Sequence, residues 1–332
     1  MKTAVLGTGS WGTALAQVLA DNGTEVICYG IDEHQVNDIN ENHANSTFFN
    51  APVNPAVHAT MDLSEALKGS DIVLLGVPST IIPSLLNQMA ELLDHPVIVI
   101  NVAKGFHPTT HERLSVVIEH SLPEAYRTAV VSLIGPSHAE EVIIRKLTVV
   151  NAVSDNEEAA RIVQELFSND YFRVYTNHDV AGAEVGVAVK NIMAIAAGAL
   201  EGIGQGDNAR AALITRGLAE LTRFGTALGG KKETYLGLDG VGDLIVTCTS
   251  RHSRNFMAGF EIGKAGSAEE FLRTNTRTVE GISACRIVHE EAQKRGISMP
   301  ITDEVYAVLF EGKSPQKAII DLMRRDLKQE GN

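Results

Sequence analysis

The strongest constraint on the fold lies within the first thirty residues. A short apolar run, Thr3-Ala-Val-Leu-Gly7, leads into the turn Gly7-Thr8-Gly9-Ser10-Trp11-Gly12, and Ala14, Leu15, Val18 and Leu19 then recur at helical spacing as far as Asn22. Gly23 supplies a stop, and Glu25–Tyr29 reads as a second strand. A glycine triplet of this spacing is common alone, but here it joins a strand to a helix inside one βαβ unit. Gly7 permits the tight turn, Gly9 lets backbone approach a pyrophosphate, and Gly12 lets helix and strand pack closely. The helix N-terminus then offers free N–H groups to the phosphates of a dinucleotide, NAD or NADP.

The alternation continues. Helical patterns over 63–68, 81–93 and 156–167 separate strand patterns over 71–77, 96–102, 130–134, 147–152 and 172–175. This predicts an α/β, doubly wound, Rossmann-like parallel sheet. From Val185 onward no strand is legible, and 187–200, 209–228, 282–295 and 301–310 read as helices. The expectation is a dinucleotide-binding domain over 1–180 and a mostly α-helical substrate domain over 181–332.

Charge and cysteine usage exclude several functions. The formal net charge of −13, from 28 Lys and Arg against 41 Asp and Glu, disfavours nucleic-acid or anionic-membrane partners. Cys28, Cys248 and Cys285 form no CxxC pair, so neither a disulfide framework nor a metal site is suggested. With no leader pattern and no long apolar run, the expectation is a cytoplasmic protein without membrane insertion. An acidic protein that takes an anionic substrate needs a local basic pocket, so each buried cation is informative.

Lys190 stands out, because its helix from Val185 to Ile195 is apolar nearly all round. A lysine there is costly unless it is paired, functional or able to reach water with its amine. Lys104 and Gly135-Pro136-Ser137-His138 lie just beyond strand ends, where ligands of such sheets bind. Asp243 precedes an apolar stretch and reads either as a site residue or as a helix cap; Arg254-Asn255 reads either as a site or as a solvated loop. Asp32, about twenty residues past the turn, is either the ribose-binding acid or an ordinary loop aspartate.

With these motifs in order, the chain resembles the bacterial NAD(P)-dependent glycerol-3-phosphate dehydrogenases almost end to end. The resemblance rests on Gly7–Ala14, Lys104-Gly105, Gly135-Pro136-Ser137, Val189-Lys190-Asn191, Gly204–Ala209, Leu213–Gly217, Gly242-Asp243-Leu244, Ser253-Arg254-Asn255, Val279-Glu280-Gly281 and Pro300-Ile301-Thr302. It implies that Lys190 takes the proton of the substrate hydroxyl, with Lys104, Asp243 and Thr247 as active-site neighbours. It implies substrate contacts at Lys104, Gly135, Ser137, Lys190, Asp243, Ser253, Arg254 and Asn255, the last two chiefly at a phosphate. Cofactor contacts implied are Ser10, Trp11, Phe48, Lys104, Ala139, Arg254, Val279 and Glu280, with a homodimer as the expected assembly. The implied role is to supply glycerol 3-phosphate for phospholipid synthesis.

Two departures bear on specificity. Ile31 stands where many members carry His or Arg, which leaves the choice between NAD and NADP open, and His138 replaces the family's usual aromatic. Dehydrogenases of β-hydroxy acids or 6-phosphogluconate share this architecture, but space the corresponding Lys and Asn several residues apart. Here Lys190 and Asn191 are adjacent. A dinucleotide-binding sensor without turnover is the remaining alternative, and a complete lysine and phosphate pocket argues against it.

Overall fold

A computed structural model describes residues 1–327, 329 and 330. One eight-stranded sheet forms the first half, from β1 (Lys2–Leu6), β2 (Glu25–Tyr29), β3 (Val57–Thr60), β4 (Ile72–Leu75), β5 (Val97–Asn101), β6 (Arg127–Ile134), β7 (Thr148–Val153) and β8 (Phe172–Asn177). Their order is β3-β2-β1-β4-β5-β6-β7-β8. Helices α1 (Ser10–Asp21), α2 (Glu33–Asn37), α3 (Leu63–Leu67), α4 (Ile82–Leu92), α5 (Leu114–Ser121), α6 (Ala139–Val142) and α7 (Glu157–Phe167) connect them. Apolar strands such as Ile72-Val-Leu-Leu75, buried at every residue, need helices on both faces of the sheet.

The sheet departs from the all-parallel expectation at one place: β7 runs antiparallel to β6, with Ser132 opposite Val153. A parallel crossover is usually built around an α-helix. The 135–147 connection carries only the single turn α6, so the chain reverses instead. Strand β3 was not legible in the sequence because Val57-His-Ala-Thr60 is a four-residue edge strand with only alternate residues buried.

The second half is helical: α8 (Val180–Ile203), α9 (Asp207–Ala227), α10 (Lys232–Tyr235), α11 (Asp243–Thr249), α12 (Arg254–Ala265), α13 (Glu269–Thr274), α14 (Glu280–Arg295), α15 (Pro300–Phe310) and α16 (Pro315–Met323). Helix α8 begins seven residues before the sequence pattern suggests. Its early Gly182 and Gly186 obscure the pattern, while Asp179 caps it by accepting from Gly182 N at 3.0 Å. The same carboxylate accepts from Lys231 N (2.7 Å) and Thr234 Oγ1 (2.6 Å), locking α10 to the cap.

Against the expectation of no long apolar segment, α8 is long and apolar enough to cross a membrane. It is the central helix of this half, with 83% of its most apolar window buried inside the fold.

Helices α8 and α12 touch backbone to backbone. A Cβ added at Gly198 or Gly259 would meet the carbonyl of Phe256 or Ile195, and Gly202 and Gly263 face α12 and α8 with as little room. At these four positions the seam admits no side chain.

The two halves are tied by buried acids. Glu184 of α8 accepts from Ser115 N (2.9 Å) and Ser115 Oγ (2.6 Å) at the start of α5, and from Ser132 of β6 at 3.4 Å. Asp239, in a π-helical turn before α11, accepts from Asn151 of β7 and Asn177 of β8, each at 2.8 Å.

Candidate active site

The order reverses between β1 and β4, the crevice where such sheets hold dinucleotides. Gly7 follows β1 with φ +124°, donates to Tyr29 O at 2.8 Å, and a Cβ there would lie 2.5 Å from the Gly76 carbonyl. Only glycine fits. Gly9 caps α1 in an extended conformation; no side chain occupies its first N–H groups, and no acid lies in its first turn. A Cβ on Gly12 would run into the Gly7 carbonyl, so the helix lies directly on the turn.

Ser10 and Trp11 open the helix, and the Trp11 indole Nε1 is buried with no partner among the described residues. Free N–H groups, close backbone and an unanswered donor together fit a dinucleotide.

Asn45, which sequence reasoning passed over, ties the next loop to this turn by donating to Thr8 O (2.8 Å) and Thr13 Oγ1 (2.9 Å). Phe48 rides on that loop, 42% exposed and tilted against Phe49. Asp32 is engaged locally. One oxygen accepts from His34 N and Gln35 N, capping α2, and the other takes Gln35 Nε2 at 3.1 Å. The second oxygen keeps room for a further donor, so the cap and a ribose contact are compatible. Exposed Ile31 leaves the same rim without a Lys or Arg.

Across the crevice, Lys190 sits mid-way along α8, 1% exposed, and pairs with Asp243 on the first turn of α11, also 1% exposed. The amine therefore does not reach water. Gly242, not Asp243, holds the cap position of α11, so the Asp243 carboxylate is free to face Lys190. Thr247, one turn on, donates to the Asp243 carbonyl at 2.6 Å and accepts from Lys190 Nζ at 3.2 Å.

Burial pulls the Lys190 ammonium down to about 8; Asp243 opposes this, and Lys104 adds to it. Lys104 is half-buried just past β5, where Asn101 braces the loop by accepting from Ala103 N. Asp243 Oδ2 is buried with no partner among the described residues, so the pair retains an unanswered acceptor.

The remaining site residues line both walls. Gly135 (φ +148°) ends β6 with Val150 too close for a side chain, and Ser137 Oγ turns back onto the Gly135 carbonyl at 3.0 Å. Ala139 begins α6 and packs in the core beside α1. Ser253 caps α12 by accepting from Phe256 N, so Arg254 and Asn255 open a helix and do not lie in a loop.

Asn255 is buried and accepts from Gly281 N at 2.8 Å; Arg254, about half exposed, donates to Glu280 at 2.5 Å. Val279 caps α14 and Glu280 is its first residue. The Asn255–Gly281 and Arg254–Glu280 bonds therefore join the start of α12 to the start of α14. Glu184 carries the same sequence signal as Lys190, an ionisable group in an apolar helix, and went unread; burial raises its carboxyl above the usual range.

Comparison with known proteins identifies the family. Residues 2–160 match the family model described as NAD-dependent glycerol-3-phosphate dehydrogenase N-terminus, and residues 179–320 match its C-terminus. A protein of Streptococcus thermophilus named glycerol-3-phosphate dehydrogenase [NAD(P)+] is 49% identical over 330 residues, covering 99% of this chain and 97% of its own. One of the same name from Exiguobacterium is 49% identical over 328 residues, covering 98% and 96%. The crystal structure of glycerol-3-phosphate dehydrogenase from Coxiella burnetii superposes with a TM-score of 0.89 at 36% identity, over 98% of this chain and 99% of that one. By sequence along its whole length and by fold, this chain belongs to the NAD-dependent glycerol-3-phosphate dehydrogenase family.

Proposed function

We propose that this chain interconverts sn-glycerol 3-phosphate and dihydroxyacetone phosphate with NAD or NADP, in the cytoplasm, and so supplies glycerol 3-phosphate for phospholipid synthesis. The observation that carries this reading is the buried Lys190–Asp243–Thr247 group, with Lys104, just beyond β5, near enough to act on its amine. A nicotinamide dinucleotide supplies hydride transfer when bound. The residues that would hold it are Gly7, Gly9, Ser10, Trp11 and Gly12, with Phe48, Lys104, Ala139, Arg254, Val279 and Glu280 around them.

The protein's part is the proton and the orientation. Oxidation requires the C2 hydroxyl proton to leave, and reduction requires one to arrive at the same oxygen. A lysine brought to about 8 exchanges that proton in either direction near neutrality. Asp243 aims the amine, Thr247 fixes both, and Lys104 polarises the C2 oxygen.

Arg254 offers a guanidinium fork to the phosphate, with Asn255, Ser253, Ser137 and the Gly135 backbone around it. These cations also explain how a protein of net charge −13 takes a dianion. The division of labour follows the chain, with 1–180 holding the dinucleotide and 181–332 the substrate. A homodimer, expected from family membership, is tested by light scattering.

The direct test is steady-state reduction of dihydroxyacetone phosphate with NADH and NADPH in parallel. Lys190→Ala should lower kcat by about 100-fold or more. A near-unchanged kcat would remove Lys190 from the proton step.

A further inference from the structure

His138 has no structural task that explains its ring. It holds the cap position of α6, yet the side chain makes no capping bond; the backbone carbonyl alone takes Glu141 N and Val142 N at 3.1 Å. Its Nε2 is fully buried and has no partner among the described residues. An imidazole nitrogen left so is destabilising unless a ligand answers it.

The ring packs against His252, centroids 5.7 Å apart and tilted by 50°. His252 comes from the opposite wall and immediately precedes Ser253-Arg254-Asn255, the arm assigned above to the substrate phosphate. The charged and titratable groups around His138 are Lys104, Glu140, His252 and Lys190. Burial and the nearby cations hold its pKa below the usual value, so the ring is neutral at pH 7 and keeps one N–H to donate.

We propose that His138 is a substrate-contacting residue, donating from Nε2–H to a phosphate oxygen beside the Arg254 arm, with His252 as the wall that holds its ring. The proposal rests on the reading of Arg254-Asn255 as the phosphate site. The contact lies at the phosphate and not at the reacting carbon, so its loss should fall on affinity more than on turnover.

The test is His138→Phe and His138→Gln in the full chain. Phe fills the space without a donor, and Gln restores one. Expected for His138→Phe is a rise of about tenfold in KM for dihydroxyacetone phosphate, the usual scale for one hydrogen bond to a charged acceptor. The inhibition constant of inorganic phosphate should rise in parallel, with kcat and NADH affinity within about twofold. Gln should recover part of both losses.

An unchanged KM, or a raised KM with unchanged inhibition by phosphate, overturns the proposal. So does a Gln variant as impaired as the Phe variant. Arg254→Lys measured alongside separates the two readings. If it weakens phosphate inhibition and His138→Phe does not, His138 alone is misassigned; if neither does, the phosphate site itself is misplaced.

Discussion

Replacing Asp243 by Asn tests the centre of the mechanism. The substitution keeps the side chain's volume on the first turn of α11 but removes the buried charge facing Lys190. With Asp243 in place, burial and Lys104 together outweigh it and leave the amine at about 8. Without it, they act unopposed. Two unit charges about 4 Å apart at an effective dielectric of about 20 interact by roughly 4 kcal/mol. One pKa unit is about 1.4 kcal/mol, so the amine should fall by about three units.

Oxidation uses the neutral amine. The acidic limb of kcat/KM for glycerol 3-phosphate should therefore move from near 8 to about 5, and the alkaline limb for reduction should move the same way. Turnover at the new optimum should drop by about 100-fold, because the amine has lost its aim. The assay is a pair of pH–rate profiles, forward and reverse, for the wild type and Asp243→Asn. A limb that stays near 8 in the variant would refute the claim that this pair sets the working proton.

Other expectations follow from the same structure. Arg254→Lys replaces a fork with a point charge and should raise KM for dihydroxyacetone phosphate by about tenfold with little change in kcat, read from steady-state kinetics. Gly281→Ala places a Cβ 2.7 Å from Asn191 O and 2.8 Å from Asn255 Oδ1, which should lower Tm by several degrees and raise substrate KM together.

Burial lifts Asp239 to about 7, above its ordinary value of 3.8, so its folded state holds a proton that the unfolded chain has released. Stability from this group is full below about pH 4 and is lost as pH rises to about 7, by an amount on the order of 4 kcal/mol. Asp239→Asn keeps an acceptor for Asn151 and Asn177 and should flatten that part of the curve in denaturant titrations from pH 4 to 8; an unchanged slope would place the buried proton elsewhere.

The sequence made some of this legible and hid the rest for physical reasons. The β1–turn–α1 unit is local, with every constraint within some twenty residues. Lys190 was visible because a charge in an apolar helix contradicts its surroundings. The direction of β7 was not visible, since it depends on what a connection can span and not on the strand's own residues. Helix α12 was not read from the sequence, because Gly259 and Gly263 weaken a helical pattern on one helix alone, and their reason is the backbone of another helix, α8. Asp32 was ambiguous between a ribose contact and a loop residue, and its capping of α2 is a task the sequence did not single out. The facing of His138 and His252 comes from distant segments with no common pattern, so only the folded chain brings it out.

The glycine seam between α8 and α12 has a consequence for selectivity. Lys190 stands on one of these helices and the Arg254 arm opens the other. At those four glycines the seam holds no side chain that could rearrange, so it acts as a rigid calliper. If Lys190 and Arg254 grip the substrate as proposed, backbone contact fixes the span between them, and a phosphorylated alcohol one carbon longer or shorter should turn over far more slowly than glycerol 3-phosphate.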